Sequence, residues 1–242
     1  MKAPWRSLAV SSDGCHHVDR AGRPAYRRRF DAVLPFHEPG LAPVRAGDAA
    51  WHVGADGEAA YAARYRETFG FYEGRAAVVA DDGWHHIKPS GAPAYAARFA
   101  WCGNVQGGRV TVRRRDDRYL HVDPDGRPIT SRVWRYAGDY REGAAVVQGD
   151  DGLHGHIDRD GEPVHRYWFR DLDVFHKGCA RARDVDGWTH IDRGGRALYG
   201  ERFAMVEPFY NGQARVATFD GGLHVIAPSG AVLVRLRQGE GR

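Results

Sequence analysis

One glycine recurs at Gly22, Gly57, Gly91, Gly126, Gly161, Gly195 and Gly230, at intervals of 35, 34, 35, 35, 34 and 35 residues. A period that never drifts by more than one residue means a single supersecondary unit copied end to end. Such a unit cannot bury an apolar face alone and must stack on its neighbours. A second ladder, His17, His52, His86, His121, His156, His190 and His224, runs beside the first, each histidine followed by Val or Ile. A third is Gly40, Gly74, Gly108, Gly143, Gly178 and Gly212, each opening a short alternating run. Arg6 stands in the first register of this third ladder, so the chain is expected to begin inside its first unit, with no separate N-terminal domain. The units fall at about 5–35, 36–70, 71–104, 105–139, 140–174, 175–208 and 209–237.

Each unit reads as three strands. The first is the Gly-x-Ala-x-Val run, as at 74–79, whose alternation has the period of a half-buried strand. The second holds the ladder histidine, as in Trp84-His85-His86-Ile87. A turn such as Asp158-Arg159-Asp160-Gly161 leads to the third, with Gly where a positive φ is needed. That third strand is expected to end in an aromatic pair, as from Tyr95 to Phe99, and the segment after it, such as Arg135 to Tyr140, has room for a short fourth strand.

An open array needs atypical end repeats to cap it, whereas the first and last units here look ordinary. The pattern therefore predicts an all-β fold, a seven-bladed β-propeller formed as one domain over 1–242. In it, the strands near Arg6–Val10 and Val232–Leu236 would lie in neighbouring or shared blades and close the ring. The segments Glu142-Gly143-Ala144-Ala145-Val146, His156-Ile157-Asp158-Arg159-Asp160-Gly161 and Trp188-Thr189-His190-Ile191-Asp192 resemble the WG-repeat family of bacterial proteins. This resemblance implies a β-rich ring or array used for binding. The chain departs from the family pattern in carrying His where the family has Tyr, and its Gly only as Gly155.

Composition narrows the function classes. Lys and Arg number 35 against 31 Asp and Glu, a formal charge of +4, and no run of five basic residues occurs, so a nucleic-acid partner is not expected. No stretch approaches the roughly 18 apolar residues of a membrane span. Residues 1–12 lack the apolar run of a signal peptide. Cys15, Cys102 and Cys179 form no CxxC pair, and a reducing, cytoplasmic setting follows as the expectation.

A residue present in every unit does the same job in every unit, so most of the seven histidines are expected to be buried and bonded to protein groups, with no metal among them. Function is sought where units differ. Two residues before the third-ladder glycine, or close to it, stand His37, Tyr72, Gln106, Arg141, His176 and Tyr210. The first strands add Arg75, Arg109, Arg181 and Arg215 on the face opposite their Ala and Val residues; these either recognise an anion or pair with turn aspartates. Two function classes stay open. One is a binder of a small anionic molecule or peptide, contacted by Tyr72, Arg75, Gln106, Arg109, Arg141, Arg181, Tyr210 and Arg215. The other is a cofactor-independent lyase, isomerase or cyclase with His176 or His37 as base, Asp139 or Asp173 as partner, and arginine as anion clamp. A histidine within hydrogen-bond reach of a carboxylate in a deep pocket would favour the enzyme. No cofactor motif is present, and the oligomeric state is not legible.

Overall fold

The computed structural model describes residues 4–239; the first three residues, part of the stretch read above for a leader, lie outside them. The chain divides into two compact units, Met1–Ser131 and Arg132–Arg242. The first opens with a 3₁₀ turn at Pro4–Ser7 and holds four antiparallel sheets: β1 (Ala9–Val10) with β2 (His17–Val18); β3 (Ala32–Val33), β4 (Ala42–Ala46) and β5 (Ala49–Val53); β6 (Glu67–Tyr72), β7 (Arg75–Ala80) and β8 (Gly83–Ile87); and β9 (Trp101–Cys102), β10 (Val110–Arg113) and β11 (Tyr119–Val122). The second holds three: β12 (Tyr136–Ala137), β13 (Ala144–Gln148) and β14 (His154–Asp158); β15 (Asp171–Leu172), β16 (Ala180–Arg183) and β17 (Trp188–Ile191); and β18 (Met205–Val206), β19 (Ala214–Ala217), β20 (Leu223–Ile226) and β21 (Val232–Arg237). The chain is thus all-β, and the described residues form seven sheets, as many as the repeats and the number that the expected propeller class requires.

Within each unit the apolar core lies between consecutive sheets. Ala77 and Phe99 pack with Val110, Val112 and Val122 of the next sheet, and Ala144 and Val146 with Leu172, Phe175, Ala180 and Ala182. The small-large alternation of the first-strand runs lets neighbouring sheets approach closely. Burying a Val or Phe from water contributes about 1.5–3 kcal/mol, so these stacked faces supply most of the cohesion.

The histidine ladder locks one sheet to the next. His52 Nε2 donates to the carbonyl of Phe69 at 2.8 Å, and its Nδ1 lies 2.5 Å from the Tyr61 hydroxyl. A carbonyl can only accept, so Nε2 carries the proton and Nδ1 receives the tyrosine O–H. The same two bonds recur from His17 to Tyr26 and Leu34, from His86 to Tyr95 and Gly103, and from His190 to Tyr199 and Glu207. At His156 the tyrosine is replaced by His165, Nδ1 to Nε2 2.9 Å, with Asp173 as the carbonyl. The carbonyl belongs to the segment entering the next sheet. Six of the ladder histidines are buried and His224 is half-buried, so the structural reading of this ladder holds in its geometry.

The tyrosine also explains the first glycine ladder. A Cβ on Gly57 would lie 2.6 Å from Tyr26 Cγ, and Gly57 has φ +78°, so this position demands glycine twice over. From Gly74 onward the third ladder marks two-residue hairpin turns with positive φ at both positions, as at Glu142 (+49°) and Gly143 (+78°), the type I′ geometry that matches strand twist.

The expected third strand is different. Residues 92–99 pair with the backbone of their sheet through the isolated bridges Ile87↔Pro93 and Trp84↔Phe99 and not as a continuous strand. Pro93 has no N–H to give, and the Arg98 guanidinium takes up the carbonyls of Ala96 and Ala97 at 2.9 and 3.2 Å. The segment expected to add a fourth strand instead starts the following sheet, as β12 does by pairing with β13. In the last unit the counterpart segment is the strand β21, which pairs with β20 across two register shifts. Strands β1 and β21 therefore lie in different sheets, the first and the last.

Candidate functional site

The varied polar position immediately precedes each type I′ turn and bridges the residue that follows it, as His176 does with Cys179 and Arg141 with Ala144. In the second unit this brings successive residues together: Arg141 Nη2 lies 3.3 Å from His176 Nδ1. A guanidinium only donates, so Nδ1 accepts and the His176 proton sits on Nε2. The carboxylate of Glu142 accepts from the amides of Lys177 and Gly178 at 2.6 and 3.0 Å, fixing one hairpin tip on the next. Those two bonds hold the Glu142 carboxyl below its usual range, with His176 and Arg193 adding to the effect.

Arg141 and His176 form the polar end of a cavity of about 290 Å³, together with Asp173 and Arg181. Asp173 and Arg181 are cross-strand neighbours, the amide of Asp173 donating to the Arg181 carbonyl at 2.9 Å. Their side chains form an ion pair, and Arg181 Nη1 donates to the Val206 carbonyl at 3.0 Å. The opposite wall is apolar: Val174, Ala180, Pro208 and Phe209, with the Phe209 ring 4.1 Å from that of His190. Both His190 nitrogens are already used, so it offers this wall only its ring face. Cys179 completes the lining. Burial, and then the Asp192 and Glu142 carboxylates, push its thiol up, so it stays S–H and is no nucleophile for His176 to activate.

The remaining predicted residues stand elsewhere. Tyr210 is 71 % exposed with the Lys177 ammonium 5.3 Å from its ring centre, and Arg215 pairs with Glu207. Asp139 is exposed and does not line the cavity. In the first unit the His37 ring packs 4.8 Å from that of Tyr72. Arg75 donates to Pro124 O at 3.1 Å and to Asp125 at 3.0 Å, the pairing with a turn aspartate that sequence left open. Gln106 and Arg109 bridge the turn between them, and Arg109 Nη1 donates to Gly108 O at 3.0 Å. The cavity thus gathers Arg141, His176, Asp173 and Arg181 of the predicted set. The apolar wall was missed; the signal that could have found it is Cys179, a small residue where Arg75 and Arg109 stand in other units.

Among the described residues no cluster of three or more His, Cys, Asp or Glu side chains could hold a metal ion, and no helix is long and apolar enough to cross a membrane. No family model and no curated protein matches the chain. Among solved structures it is similar to BamB from Moraxella catarrhalis, with a TM-score of 0.47, 13 % identity, and 99 % of this chain and 87 % of that one covered. It is similar to the computationally designed Ika8 protein, with a TM-score of 0.46, 14 % identity, and coverage of 96 % and 85 %. It is also similar to the WD40 β-propeller domain of Doa1, with a TM-score of 0.36, 13 % identity, and coverage of 90 % and 87 %. These likenesses are loose, and none bears on what the chain binds.

Proposed function

We propose that the chain is a ligand-binding β-propeller whose second unit holds an acidic small molecule or peptide, in a cytoplasmic setting. The observation that carries this reading is the juxtaposition of Arg141 and His176, from successive repeats, at the polar end of a cavity with an apolar wall. A preformed cleft with few convergent polar groups is the usual form of a small-ligand site. The enzymatic alternative needs His176 or His37 against a carboxylate. Here His176 Nδ1 faces a guanidinium and Asp173 is engaged by Arg181, so binding is the better-supported class.

The test is the double variant Arg141→Gln with His176→Asn, titrated calorimetrically with a panel of small organic acids. Binding seen with the unaltered protein is expected to fall by at least about 100-fold, near 2.7 kcal/mol. The melting temperature should stay nearly unchanged, because neither side chain belongs to the packed Ala/Val faces. Full retention of binding, or outright unfolding of the variant, would defeat the proposal.

A further inference from the structure

The cavity discriminates among acidic ligands by charge and by surface. We propose that its ligand is a monoanionic carboxylic acid carrying one compact apolar group, which rests on the reading of the cavity as an acid-binding site. Charge comes first. Of the two guanidiniums at the polar end, Arg181 is neutralised by Asp173, while that of Arg141 contacts the unprotonated nitrogen of His176. That leaves Arg141 as the guanidinium for an anion to meet, while the Glu142 and Asp192 carboxylates that act on Cys179 add to the negative field there. A dianion such as a phosphate monoester would bring a second negative charge toward Asp173 with no cation to meet it, and like-charge juxtaposition in a partly dry site is costly.

Geometry agrees with charge. The Arg141 guanidinium presents its donors as a planar fork, which suits the two coplanar oxygens of a carboxylate. Beyond them the wall offers nothing to a polar group. Val174, Ala180, Pro208 and Phe209 are apolar, both His190 nitrogens are engaged, and the Cys179 thiol stays protonated. A peptide body or a polyhydroxylated one would leave its own donors and acceptors unpaired there, which costs more than a lost contact. At about 290 Å³ the space is at the lower end for a small-molecule site. One aromatic ring fits that space, and the half-buried Phe209 ring gives it an offset-stacking surface.

Calorimetric titration with phenylacetate, phenylphosphonate as its dianion, and benzyl alcohol tests this. Phenylacetate is expected to bind at least about tenfold tighter than either of the others. Cys179→Arg, which puts into this unit the residue found at Arg75 and Arg109, should fill the cavity and remove phenylacetate binding. Arg141→Gln, on an exposed side chain, should weaken it about tenfold without lowering the melting temperature. Phenylphosphonate binding as tightly as phenylacetate, or more so, would overturn the monoanion inference and leave acid binding standing. Equal binding of benzyl alcohol would overturn both. Undiminished phenylacetate binding by the folded Arg141→Gln and Cys179→Arg proteins would show that the acid binds elsewhere and overturn both as well.

Discussion

The same repeat positions carry different side chains in the two units, on an unchanged backbone. The residue after the turn glycine is Leu41, Arg75 or Arg109 in the first unit, and the Arg75 guanidinium extends to Pro124 and Asp125. In the second unit it is Ala144, Cys179 or Gln213, and beside Cys179 there is a cavity. Two positions on, the cross-strand pair is Gly103 with Thr111 in the first unit and Asp173 with Arg181 in the second. The backbone N–H···O bond is 2.9 Å in both. Space here goes with a short side chain: beside Cys179 the cavity is lined by the Asp173–Arg181 ion pair.

The largest effect expected of this comparison is in acid. Burial holds His52 and His86 in the first unit, and His156 in the second, down to about 4. Their unfolded value lies near 6.5. A depressed folded value means that the unfolded chain binds more protons between these limits, so stability is full above pH 6.5 and is lost as pH falls toward about 4. At about pH 5 each histidine contributes a loss of about 2 kcal/mol. Melting temperatures from pH 8 to 4 check this; a flat profile would mean that the ladder protonates without strain. Because His156 faces His165 whereas the others face tyrosine, His165→Tyr should soften the acid limb.

A smaller loss is expected where the interlock glycines are filled. Gly57→Ala in the first unit would press on Tyr26, and Gly195→Ala in the second on His165, whose Cγ would lie 2.7 Å from the new Cβ. Positive φ and overpacking together should cost about 3 kcal/mol at each site, read from denaturant unfolding. Clearly unequal losses would show that the two units are not locked by one device. The smallest effect concerns the half-buried ion pair. Asp173→Gly alone should cost about 1 kcal/mol by leaving Arg181 unpaired, and adding Arg181→Thr, which copies Gly103 and Thr111, should recover most of it. A double variant less stable than the single one would mean that the pair is needed by the fold.

What repeats was legible, and what is peculiar to one repeat was not. His52, Gly57 and Gly74 announce themselves because the same geometric demand recurs at fixed offsets, so the all-β class, the seven sheets and the structural histidines could be read directly. The fate of 92–99 could not, because it depends on Arg98 capturing carbonyls that a ladder would otherwise use. At the site, Arg141, His176, Asp173 and Arg181 were visible as departures from the common pattern. Their companions were not: Val174, Pro208 and Phe209 look like core, and a cavity is an absence of side chain that no motif spells. Arg75 misled for the converse reason, since its partner Asp125 lies 50 residues away in the chain.

The histidine bonds reach 9 and 17 residues ahead, and the glutamate clasp reaches 35 and 36. Every such contact is therefore specified as a relative address. Removing or inserting one whole period leaves each address pointing at the right kind of residue. Removing part of a period makes every address that crosses the break point at the wrong one. A chain wired by offsets can change its number of repeats in a single genetic step, but it resists the small insertions that ordinary surface loops absorb.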